Sequence, residues 1–194
     1  MYVTETFARY ATAFANQPLP AEVAHHAERA LVDWYASYYP GLAMPSVKIL
    51  ADVLSDDFDR GDSRIVGGRQ ASPRAAALFQ GTAAHAAEVD DSFRDAMYHP
   101  GAATIAAALS MAHTCRASGA DLLRAVVLGY EISTRIGVVL GRPHYKFWHN
   151  TGTVGVFGAA ASAASLLRLD ASAYAHALAI AATFSAGLQQ AFRL

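Results

Sequence analysis

Apolar positions recur every three to four residues along most of the chain, the spacing of helices that bury one face. Val3, Phe7, Tyr10, Ala11 and Phe14 form the first such stripe, closed by Pro18 and Pro20. Pro20 then opens a second, through Val23, Ala27, Ala30, Leu31, Trp34 and Tyr38, which Pro40-Gly41 breaks. Ser46 is the expected cap of a short helix through Val47, Leu50 and Leu54. The stretch from Asp56 to Gly68 is polar and glycine-bearing and reads as a loop, with Arg64-Ile65-Val66 its only strand-like fragment. Ser72-Pro73 supplies a cap and a proline for the first helical position, and that helix is expected to run toward Asp90.

A loop holds Ser92 to Tyr98, and Pro100 starts a helix expected to stop near Ser118-Gly119. Asp121 is the expected cap of the next, from Leu122 to about Leu140, apolar nearly all round and so expected to be buried. Thr151 or Thr153 starts a further helix to Leu169, and Ser172 is expected to cap a last one reaching Gln190. Both of these are expected to be deeply buried. The pattern therefore predicts an all-α fold with few or no strands, in a chain of 194 residues that suits one domain.

Composition narrows the function classes. With 54% hydrophobic and 16% charged residues, the chain carries more apolar surface than a compact monomer readily hides, which favours a homo-oligomer or a partner. A net charge of -1 gives no basic groove for nucleic acid and no cationic face for a membrane surface. The single cysteine, Cys115, fits a reducing cytoplasm and cannot build an iron–sulfur cluster; no ligand set for a structural zinc is apparent. Residues 171–192 carry no Asp, Glu, Lys or Arg, but Ala and Ser dominate with His176, Gln189 and Gln190, which favours a buried helix over a membrane span. Gly155, Ala159 and Ala163, with Gly152, Val156 and Ala160 beside them, let another helix approach closely, within the chain or across a dimer seam.

Three clusters are candidates for chemistry. In His85-Ala-Ala-Glu88-Val-Asp90-Asp91-Ser92, two adjacent carboxylates end an otherwise apolar helix; they serve as a general base of raised pKa, or as caps and salt bridges. Tyr98-His99-Pro100-Gly101 sets an imidazole at a helix start, where free amides receive an anion. His144-Tyr-Lys146-Phe-Trp-His149-Asn150-Thr151-Gly152-Thr153 puts cations and hydroxyls before another helix start, a combination that suits a carboxylate or phosphate. There is no phosphate-binding glycine loop and no nucleophile elbow, and Cys115 sits mid-helix as a core residue.

Read together, these clusters resemble the MmgE/PrpD family, which includes 2-methylcitrate dehydratase and cis-aconitate decarboxylase. The likeness is carried by Gly81-Thr-Ala-Ala-His85-Ala-Ala-Glu88-Val-Asp90-Asp91-Ser92 followed by His99-Pro-Gly-Ala-Ala103, by Gly119-Ala-Asp121 with Gly129-Tyr130-Glu131, and by Trp148-His149-Asn150-Thr151-Gly152-Thr153-Val-Gly-Val-Phe-Gly-Ala-Ala160. Asn150 stands where the family usually has proline. Glu88 and Ser92 stand where decarboxylase members have aspartate and threonine, and the Phe93-to-Tyr98 loop is a residue or so longer.

The resemblance implies that residues 1–194 are the family's helical amino-terminal domain, with a smaller α/β domain expected to follow it. It implies lyase chemistry on a di- or tricarboxylate without metal or cofactor, 2-methylcitrate dehydration first, with decarboxylation or epimerisation as alternatives. Asp90, Asp91, His99 and His149 are the implied catalytic residues, and Glu88, Ser92, Lys146, Thr151 and Gly152 the implied substrate contacts. Asp91, His99 and His149 are expected to converge on one cavity. A further family lysine is expected just beyond Leu194, so the chain alone is expected to be nearly inactive and to work as a homodimer or with a complementary carboxyl-terminal chain. A non-catalytic binding or assembly subunit is the alternative of a different class.

Overall fold

A computed structural model of the protein describes residues 2–192, and helices make up most of them. Helices α1 (Val3–Phe14), α2 (Ala21–Gly41) and α3 (Pro45–Val53) lead into a short ribbon of β1 (Phe58–Arg64) and β2 (Gln70–Ala71). Helices α4 (Pro73–His85), α5 (Pro100–Thr114), α6 (Gly119–Tyr145), α7 (Asn150–Leu166) and α8 (Ala171–Thr183) follow, then a 3-10 turn at Gln189–Phe192. The fold is mostly helical, as its hydrophobic spacing predicts.

The ribbon is where the loop expectation fails. Of β1 only Phe58 and Ser63 are buried, so the strand shows none of the alternation by which a half-buried strand is read. A register shift between those two residues interrupts its antiparallel pairing with β2. Ser63 Oγ donates to the Ser110 carbonyl at 2.7 Å and pins the ribbon to α5.

Caps differ in detail from those expected. Ser72 caps α4, its Oγ accepting from Ala75 N at 3.3 Å. Ser46 does not cap α3, because Pro45 takes the first helical position and leaves Met44 as the cap. For α6, Ser118 is the cap and Asp121 closes a capping box from inside the helix. Asp170 rather than Ser172 caps α8, accepting from Ala173 N at 2.8 Å. Helices α4, α5, α7 and α8 stop short of their expected ends, whereas α6 runs past Leu140 through a kink at Gly141 (φ 58°).

Helix α5 packs between α4 and α7, its Ile105 and Ala108 fully buried. Small residues let α6 and α7 come almost to backbone contact: a Cβ on Gly129 would overlap Ser162 Oγ and Thr104 Cγ2, and one on Gly158 would overlap Thr104 Oγ1. Neither glycine belongs to the stripe read in the sequence; of that stripe, Gly155 faces α5, where a Cβ would stand 3.2 Å from the Ala103 side chain. A second cluster joins Ala8 and Ala11 of α1 to Leu128, Ala161, Tyr174 and Leu178. Helix α6 is not buried all round, since Val139 is 86% exposed, and α8 buries only Tyr174, Leu178 and Ala181. Among the described residues no helix is long and apolar enough to cross a membrane.

Candidate active site

Three segments distant in sequence meet at one end of the helices: the last residue of α4, the connection from α4 to α5, and the start of α7. His85 closes α4, and Glu88 then takes a left-handed backbone (φ 50°) that turns the chain back. The turn brings Asp90 under His85. The Asp90 side chain is only 1% exposed, and its Oδ2 lies 3.0 Å from His85 Nδ1. Its Oδ1 lies 3.4 Å from Nδ1 of His99, the cap residue of α5. One buried carboxylate thus spans two imidazoles, and as an acceptor it selects the His85 tautomer with hydrogen on Nδ1.

His149, the cap residue of α7, completes the group. Its ring stacks near that of His85, with centroids 6.0 Å apart and planes 15° apart, while His85 and His99 are 4.8 Å apart. His99 N donates to Thr151 Oγ1 at 3.2 Å, tying the starts of α5 and α7 together. The stretch after α8 holds the His149 segment from the other side. His149 N donates to Gly187 O at 2.9 Å, Gln189 N to Phe147 O at 2.9 Å, and Ser185 Oγ to Thr153 O. Gly152 must be glycine for this, because a Cβ there would sit 2.5 Å from the Ala186 carbonyl.

The imidazoles are driven apart electrically. The Asp90 hydrogen bond raises the pKa of His85 above the ordinary imidazole value, outweighing the opposite pull of burial. His149 is lowered, first by burial and then by the charges of His85 and His99. Of the two, His85 is therefore the imidazole that holds a proton more readily and His149 the one that gives it up more readily. Pairs of groups pushed in opposite directions are how a site keeps an acid and a base available together.

Asp91 faces elsewhere. Its Oδ2 accepts from the Tyr130 hydroxyl at 2.8 Å, and its Oδ1 from Gly101 N at 2.9 Å in the first turn of α5. A Cβ on Gly101 would stand 2.8 Å from both Asp91 Oδ1 and the Tyr130 oxygen, so only glycine admits this approach. Burial raises the Asp91 pKa, with the Tyr130 and Gly101 hydrogen bonds acting against it.

Of the other sequence candidates, Ser92 Oγ lies 3.5 Å from His99 Nδ1, and exposed Glu88 acts electrostatically on both His85 and His149. Lys146 is exposed and turns its ammonium toward the Phe147 ring, 5.4 Å from the centroid. Residue spacing did not single out His85 or Tyr130 as functional. One ring nitrogen each of His85 and His99 and an Asp90 oxygen lie within 4.8 Å of one another, so among the described residues these three form a group able to ligate a metal ion. A cleft of about 780 Å³ lies at the far end of α5 and α7, among Cys115, Arg116, Arg124 and Arg168, with Asp121 paired to Arg124 and close to Arg168.

A family model described as the MmgE/PrpD N-terminal domain matches residues 5–193. The chain belongs to the MmgE/PrpD family. Within that family it is 28% identical to the cis-aconitate decarboxylase-like protein oryM of Aspergillus oryzae, over 97% of this chain and 41% of the relative. It is 27% identical to cis-aconitate decarboxylase of Aspergillus terreus, over 97% of this chain and 40% of that one. It is 28% identical to human cis-aconitate decarboxylase, over 92% of this chain and 39% of the human protein. The chain thus spans about two fifths of the length of these MmgE/PrpD relatives.

Proposed function

We propose that this MmgE/PrpD domain carries the acid–base centre of a lyase acting on a di- or tricarboxylate, by side-chain chemistry without a metal. The observation that carries the reading is the meeting of His85 and His99 on the buried Asp90 carboxylate, with His149 stacked beside His85. His99, Ser92 and the free amides at the start of α7 hold substrate carboxylates. Neutral His149 takes a proton from the carbon beside a carboxylate, leaving the electron pair on that carbon and its carboxylate. Protonated His85, charged against Asp90, returns a proton. In dehydration it goes to the departing hydroxyl, which leaves as water. Decarboxylation needs no proton taken first: carbon dioxide leaves its bonding electron pair on the carbon skeleton, and the proton from His85 goes to the carbon that holds that pair. Asp91 contributes by fixing the α5 start on which His99 stands.

A 2-methylcitrate-type dehydration is the first form of this reading, and the names of the relatives favour cis-aconitate decarboxylation as the second. The test is a panel of cis-aconitate, 2-methylcitrate and citrate. It is run on this chain alone and together with the region its relatives have beyond the matched part, scoring carbon dioxide and water separately. We expect turnover in the combined arm and little from the chain alone, which would then self-associate or pair with that region. No turnover of any polycarboxylate in either arm would favour a binding or assembly role instead. Activity abolished by exhaustive chelation and restored by one metal would reassign His85, Asp90 and His99 to ligands.

A further inference from the structure

Asn150 is a buried amide at the first helical position of α7, between the cap imidazole His149 and Thr151. Its Nδ2 donates to the Ala96 carbonyl at 2.7 Å, across 54 residues of sequence. Its Oδ1 is buried and, among the described residues, meets no donor. An amide that leaves one end unsatisfied in the interior is a costly choice for a core position, and what it gains here is the bond to the Ala96 carbonyl. Turning the amide over would set two oxygens against each other, so the donor is the end the position uses.

The accepting loop is built to be held. Phe93 and Tyr98 pair across it, Phe93 N donating to Tyr98 O at 2.9 Å. Met97 adopts a left-handed backbone (φ 49°) that a non-glycine side chain favours little. Ala96 is fully buried and lies against Gly137, where a Cβ would stand 2.6 Å from its own. The loop begins beside Asp91 and ends at His99, so its shape sets where that imidazole points.

We infer that Asn150 is a positioning residue that clamps the Ser92–Tyr98 loop to the start of α7 and so fixes the separation of His99 and His149, and with it the size of polycarboxylate the site accepts. The inference rests on the reading of those two imidazoles as substrate-facing. A proline in this place would satisfy the helix start equally well but has no side-chain donor. The amide is therefore there for the loop and not for the helix.

The test uses Asn150→Pro, which keeps a good first helical residue, Asn150→Ala, and Asn150→Asp, which keeps the volume while its carboxylate form lacks the donor. Hydrogen exchange on this chain is the readout that needs no substrate. All three variants are expected to speed exchange of the loop amides 93–98 by about five-fold, the worth of one buried hydrogen bond, while α5 and α7 amides and the circular dichroism stay as in the parent. In the combined enzyme the same variants are expected to raise KM about five-fold for the preferred acid and to narrow its lead over acids of other lengths, with kcat changing less. Loop exchange unchanged in Asn150→Ala and Asn150→Pro overturns the clamp. Faster loop exchange with an unaltered order of substrates overturns its part in specificity. If no polycarboxylate is turned over by the parent, the exchange result still decides the clamp, and only the reading of the site fails. A variant that unfolds is replaced by Asn150→Ser, whose short hydroxyl fills less space and is expected to give the same loop-selective effect.

Discussion

Asp90 and Asp91 are neighbours in sequence and opposites in surroundings. Asp90 turns toward two imidazoles; Asp91 turns toward a phenol and a backbone amide. The first carboxylate joins two imidazoles, and the second ties a helix start to Tyr130. Two carboxylates in a row therefore need not share one set of surroundings. Their surroundings are set by what the folded chain brings from 39 residues away, at Tyr130, and from the last turn of α4, at His85.

The largest effect that contrast predicts is on turnover. Asp90→Asn should lower kcat of the combined enzyme about 100-fold or more, since it removes the charge that keeps His85 protonated. Steady-state rates within a few-fold of the parent would break the contrast at once.

Next comes stability. Asp91→Ala strips α5 of a side-chain partner and leaves the Tyr130 hydroxyl buried without an acceptor, a loss of about 2 kcal/mol in urea unfolding. Asp91→Asn keeps the acceptor for Gly101 N and should lose less than half of that. The sign of the pH dependence sharpens the point. Because the folded state raises the Asp91 pKa, it prefers the protonated form. That contribution is full below the ordinary carboxylate pKa and is lost as pH climbs through the raised folded value. In Asp91→Asn this decline should vanish from a plot of unfolding free energy against pH.

A third expectation concerns the pH profile of kcat/KM. Its acid limb should reflect His149 and lie below the ordinary imidazole pKa, and its alkaline limb should reflect His85 and lie above it. Asp90→Asn should pull only the alkaline limb to lower pH, while Asp91→Asn should leave that limb close to the parent position. Equal displacement by both variants would erase the distinction. The smallest effect is Tyr130→Phe, about 1 kcal/mol less stable by the same urea measurement, with the acid limb unmoved.

Sequence legibility follows a similar divide between local and distant causes. Ser72-Pro73 was readable because cap and proline act on the turn that follows them. The polar strand Phe58–Arg64 was not, because its pairing with Gln70–Ala71 and its anchor on Ser110 lie outside the strand itself. Helix α8 was expected to be deeply buried because it lacks charge, yet a helix made largely of alanine shows no preferred face, and only contacts with α1 and α7 select Tyr174, Leu178 and Ala181. At the site, Asp90, His99 and His149 stood out beside carboxylates or helix starts. His85 did not, since its five-residue step to Asp90 crosses a helix end and the left-handed turn at Glu88, where no periodicity rule applies. Asn150 was visible as a departure from the family's proline, but its partner Ala96 was not.

The pairing of His149 with Gly187 sets an order of events during synthesis. His85, Asp90 and His99 can meet as soon as α4 and α5 have left the ribosome. The stretch Ser185 to Gln189 that latches the third imidazole emerges some 40 residues after it, a delay of about 2–8 s at 5–20 residues per second. A nascent chain therefore passes through an interval in which His85 and the buried Asp90 carboxylate are assembled while the His149 segment is not yet latched.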